Sequence, residues 1–133
     1  MLGELIGENQ GKISSQRVID VRVPTMETSI IASGRLGSVR VTETLTYVAN
    51  TSSRGVLHGV GSGIVTTLEG DLATYTGEGI GRYDASGVLN WRGAIFFETS
   101  SEGKLGFINN LVGVFEAQVD GQGNFTDKIW EWE

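Results

Sequence analysis

Along most of the chain apolar and polar residues alternate one for one, and short clusters of Gly, Asn, Asp and Ser interrupt the alternation. Successive strand side chains point to opposite faces, so this pattern predicts half-buried β-strands joined by tight turns. The strands are expected near residues 11–21, 27–36, 39–49, 56–67, 71–83, 88–99, 111–120 and 125–132. Between them lie Leu36-Gly37-Ser38, Asn50 to Gly55, Leu68 to Asp71, Asp84-Ala85-Ser86-Gly87 and Asp120 to Asn124. Each supplies glycine or a short polar side chain where the backbone must reverse. Only Ser101 to Asn110 has a helical look, enough for one short turn.

Two strands carry glycine at every second position, Gly59, Gly61, Gly63 and Gly77, Gly79, Gly81, joined through Glu69-Gly70-Asp71. Each run strips one face of its strand bare, and in antiparallel neighbours the bare faces lie side by side. The resulting trough must be filled by large side chains from opposite or by a ligand. Glycine on one face also lets a sheet coil sharply. The sequence therefore predicts an all-β, antiparallel, closed barrel of about eight strands, with an open sandwich as the competing architecture.

Composition narrows the partners. A chain of 133 residues fits a single domain spanning 1–133. The formal charge is −6 and the ten Lys and Arg are scattered singly, which argues against nucleic acid or an anionic membrane surface. No apolar run approaches the roughly 20 residues of a helical membrane span. Cysteine is absent and Met1 to Leu5 lacks the basic and apolar parts of a leader, so the cytoplasm is the expected location. His58 is the only histidine, which excludes zinc sites built on two histidines, and no metal is expected. Gly77-Glu78-Gly79-Ile80-Gly81 lacks the spacing and the following helix of a phosphate loop.

Alternation assigns the inward faces. Leu89, Trp91, Gly93, Ile95 and Phe97 read as inward, as do Leu111, Gly113, Phe115, Ala117 and Val119. Phe96, Val112 and Val114 fall outside and form an apolar stripe that reads as scattered surface residues, as the seat of a covering segment or as a subunit interface, and a dimer or trimer is expected. Tyr47, Tyr75, Tyr83 and Trp91 fall inside, where they either fill the glycine trough or line a pocket. Trp130 and Trp132 share a face with Lys128, and they cover a barrel mouth or pack on a neighbour.

Glu43 lies in the set Val39, Val41, Leu45, Tyr47 and Ala49, so a carboxyl is expected inside the barrel. A buried carboxyl must be hydrogen-bonded, paired or protonated. Arg17, in a set with Ile13, Ser15, Ile19 and Val21, is the candidate inward partner. The two read either as a catalytic acid/base pair or as a structural ion pair. His58, beside Val60, Ser62 and Ile64, is either a proton shuttle in the pocket or a strand-end residue.

The glycine-rich hairpins, the late Val112-Gly113-Val114-Phe115-Glu116 strand and the terminal Ile129-Trp130-Glu131-Trp132 together resemble small bacterial proteins of unknown function. These are similar in size and pattern to the allene oxide cyclase-like barrels, a group that includes dirigent proteins. The resemblance covers most of the chain as a pattern and rests on no catalytic motif. It implies an eight-stranded barrel with a central cavity, and relatives that steer or cyclise small hydrophobic molecules without a cofactor, often as oligomers.

The expected function is thus interior binding of a small apolar molecule, with cofactor-independent isomerase or cyclase activity as an extension. Glu43 and Arg17 are the candidate catalytic residues, and Tyr47, His58, Tyr75 and Trp91 the candidate ligand contacts. The alternative is a non-catalytic structural or interaction domain with a filled core.

Overall fold

The structure, a computed structural model, describes residues 2–133. Eight strands follow one another: β1 (Leu2–Asp20), β2 (Thr25–Leu36), β3 (Val39–Thr51), β4 (Leu57–Thr66), β5 (Leu72–Tyr83), β6 (Leu89–Glu98), β7 (Val112–Val119) and β8 (Asn124–Trp132). Each pairs antiparallel with the next, and β8 pairs with β1 to close the barrel, which excludes a sandwich. A single 3-10 turn, Gly106–Ile108, is the one departure from strand and loop among the described residues. The turns work as their chemistry requires. In the β5–β6 connection Asp84 Oδ1 accepts from the Ser86 and Val88 amides at 2.9 and 3.1 Å, and Gly87 takes φ +87°.

The strand register puts the expected residues inside. Ile30, Ala32, Val65, Ala73, Trp91, Phe97 and Ile129 are buried, while Lys128 turns outward and Trp132 is 58% exposed. The terminal indoles therefore cover no mouth, because Ile129 occupies the inward position of β8 and alternation sends its neighbours Lys128 and Trp130 out. Phe96 faces outward as expected and is 52% exposed, with Val112 directly across from it.

β1 differs most from the expected strand: it begins at Leu2 rather than near residue 11. Gly3, Gly7 and Gly11 with Asn9 and Gln10 look like turn material, yet they are strand residues at close backbone approaches. A Cβ on Gly11 would lie 2.8 Å from that of Ala32. Two register shifts in the β1–β2 ladder, at Ser14 and Ile19, insert an extra residue each. Beyond Ile13, β1 keeps β2 on one side and has no β8 partner on the other.

Two apolar clusters fill the two ends of the barrel. One contains Ile6, Leu36, Val41, Val65 and Phe97, and is sealed by Leu105 and Ile108 of the β6–β7 loop, which are fully buried. That loop is fastened by Asp71, which accepts from the Ser101 hydroxyl and the Lys104 amide, both at 3.0 Å. The other contains Ile30, Leu57, Leu89, Trp91 and Phe125. Leu45 and Phe115 touch both clusters, and the space between them is where the candidate site lies.

Candidate functional site

Glycine shapes this space. Trp91 lies across the bare faces of β4 and β5, so that a Cβ on Gly59 would come within 2.8 Å of its ring and one on Gly81 within 3.1 Å. Tyr75 occupies the space beside Gly63 in the same way. Tyr47 meets Trp91 edge to face at 5.2 Å between ring centroids, and Tyr75 meets Phe97 at 5.7 Å. The rings do not fill the trough completely. A cavity of about 90 Å³ remains, bounded by Tyr47, Tyr75, Trp91, Phe115, Asp127 and the glycines of β4 and β5.

Carboxyl groups supply the chemistry. Glu43 is 3% exposed, as its alternation predicts, and accepts a hydrogen bond from the Tyr75 hydroxyl at 3.1 Å through Oε2. It stands one layer behind the cavity wall, of which Tyr75 is part. Asp127 of β8 is a wall residue and accepts from Asn9 Nδ2 at 2.9 Å. It is half-buried and lines the cavity. Small residues make room for these groups. Ala32 pairs with Glu43, and Gly34 is packed so closely on Asn9 that a Cβ there would sit 2.6 Å from Asn9 Oδ1.

No cation offsets the pair among the described residues; the ion pairs there are all at the surface. Burial, reinforced by the negative charge of Asp127 and opposed by the Tyr75 hydrogen bond, pushes the Glu43 carboxyl up to about 8. Burial likewise pushes Asp127 up to about 7, against the hydrogen bonds from Asn9. Two facing acids in a low dielectric hold on to protons into the neutral range and titrate as a unit. Tyr75 is raised well above its ordinary value by burial and then by the two carboxylates, and Tyr47 is raised by burial, so both phenols stay protonated near neutrality. Among the described residues three buried side-chain polar atoms have no hydrogen-bond partner: Glu43 Oε1, Asn9 Oδ1 and Trp91 Nε1.

Glu43, Tyr47, Tyr75 and Trp91 are thus brought together as expected, and Arg17 and His58 are not. Arg17 projects from the outside of β1 and pairs with Glu27 at 3.4 Å, its side chain 69% exposed. The extra residue at Ser14 reverses the alternation beyond it, so the face shared with Ile13 is lost before Arg17. His58 is exposed on the outer face of β4, opposite Asn50. Tyr83 has inward parity but ends β5 beyond the barrel wall and is 61% exposed. Asp127 and Asn9 were not anticipated. The alternation Phe125, Asp127, Ile129 carries the signal for Asp127, whereas Asn9 lies in the half of β1 that resembles a turn.

Fold and site together define a closed eight-stranded antiparallel barrel with an acid pair beside an interior cavity. No family model matches the chain, and no curated protein matches it. Among solved structures the chain is similar to a conserved protein of unknown function, RPA1785 from Rhodopseudomonas palustris, with a TM-score of 0.79. The likeness covers 98% of this chain and 97% of that one at 9% identity, and it is a likeness of fold.

Proposed function

We propose that the barrel binds a small, largely apolar molecule in its interior and that Asp127, backed by Glu43, exchanges a proton with it. Such a protein is a cofactor-independent isomerase or cyclase of the kind the allene oxide cyclase-like resemblance implies. The observation that carries the reading is two carboxyls with no counter-charge in an apolar barrel, Glu43 buried and Asp127 half-buried against the cavity. A carboxyl in that position is costly to keep, and one that holds its proton into the neutral range can both give and take it. Tyr75 touches both the cavity and Glu43, and so links the acid behind the wall to the ligand space.

The reading is tested by screening small neutral molecules against the protein by NMR and mapping the perturbed residues. It expects hits that shift Tyr47, Tyr75 and Trp91, and a pH dependence of binding that disappears in Asp127→Asn. A screen whose hits all map to the outer surface supports the filled-core alternative instead.

A further inference from the structure

We infer that the ligand of this interior is a small organic ammonium ion, held through its N–H groups by Asp127 with Glu43 behind it. The inference rests on the interior-binding reading above and names its ligand class. Four observations carry it. Asp127 presents its carboxyl to the cavity, and Glu43, its buried Oε1 without a hydrogen-bond partner, stands behind the wall. Acids held away from bulk water without a counter-charge are rare in folded proteins. Among the described residues no lysine, arginine or histidine borders the cavity, so the positive charge that would balance the pair must come from outside the chain. The remaining wall is mostly glycine and apolar side chains with Ser62 and a second acid, Glu78, and its Tyr47, Tyr75 and Trp91 can face a cation with their rings.

The other charge types fit worse. An anion would place a third negative charge beside two carboxyls in a low dielectric. A neutral molecule would leave the pair as it stands, uncompensated. Trp91 Nε1, an unmatched donor, takes no part in holding a cation. Size limits the ligand further: the cavity of about 90 Å³ is smaller than the cavity of about 150 Å³ that admits benzene, so the buried part is an aliphatic amine of a few carbons. On binding, the ammonium takes the place of the proton held by Asp127, which is released to solvent.

The experiment is a calorimetric titration of the whole chain at pH 8 with isobutylamine, isobutanol and isobutyrate, in two buffers of different ionisation enthalpy, with the indole N–H signals followed by NMR. The amine is expected to bind at least tenfold more tightly than the alcohol, to release protons and to shift Trp91. Asp127→Asn should lose the amine preference and the proton release, with its thermal melting transition showing whether the variant is folded. Should that variant fail to fold, proton release by the unaltered protein still decides. An alcohol bound as tightly as the amine, or amine binding without proton release, overturns the inference and leaves the interior-binding reading intact. If none of the three shifts Trp91, the interior-binding reading falls with it.

Discussion

Glu43 is the residue whose position was most legible in the sequence, and the reason is local. β3 pairs with β2 without a register shift, so alternation counted from Val39 still holds at Glu43. Arg17 was misplaced because one extra residue, Ser14, lies between it and the apolar residues that set its face. The acid whose charge acts on Glu43, Asp127, comes from β8 and lies near it because the barrel closes through β1, which no local pattern reveals. A prediction follows from the pair. Glu43 is raised above its unfolded value, so its contribution to stability is intact below about pH 4.5 and is lost as pH rises towards about 8. Glu43→Gln removes the titration while nearly keeping the shape. At pH 8 we expect urea denaturation to show the variant more stable than the parent by roughly 1–3 kcal/mol, the cost of an unsatisfied buried group. At pH 5 the gap should nearly close. Arg17→Ala, by contrast, should change stability by less than about 0.5 kcal/mol, because its ion pair is exposed. A large loss in that variant would mean that Arg17 reaches the interior.

At the level of elements, seven of the eight strands were readable because their alternation is uninterrupted and their turns are marked by glycine, while the N-terminal half of β1 hid behind polar and glycine residues. The glycine rows on β4 and β5 were read as a trough for aromatic rings, and Trp91 and Tyr75 occupy it. Added side chains there would meet rings and backbone. A Cβ at Gly61 would sit 2.7 Å from the Thr46 carbonyl oxygen, and one at Gly79 would sit 3.2 Å from the Phe115 ring. Gly61→Val and Gly79→Val should each lower stability by about 1–3 kcal/mol in the same denaturation assay, as overpacking does. Of the two, Gly61→Val should be the worse, since its Cβ would stand 2.7 Å from a ladder carbonyl, against 3.1 Å from the Arg92 carbonyl for Gly79. Parental stability in both variants would mean that the trough is open to solvent.

For the whole molecule, closure decides what remains exposed. A closed barrel has no free edges except where a strand outruns its neighbour, and β1 does so beyond Ile13. This edge carries Val18 at 60% exposure and Ile19 at 47%, and at the other end of the strands, level with Leu2, lie the outer Phe96 and Val112, the surface that we propose a second copy of the chain covers. Light scattering at micromolar concentration is expected to give a dimer or trimer, and a mass of 14.3 kDa would contradict that. No helix among the described residues is long and apolar enough to cross a membrane. The account as a whole depends on the interior acid pair, which carbon-13 NMR of the side-chain carboxyls can observe directly across a pH titration. Two carboxyls, assigned to Glu43 and Asp127, should titrate together between about pH 6 and 9, well above the surface acids. If every carboxyl in the protein has finished titrating by about pH 5, the pair is not held in an uncompensated interior and the proposed site does not exist.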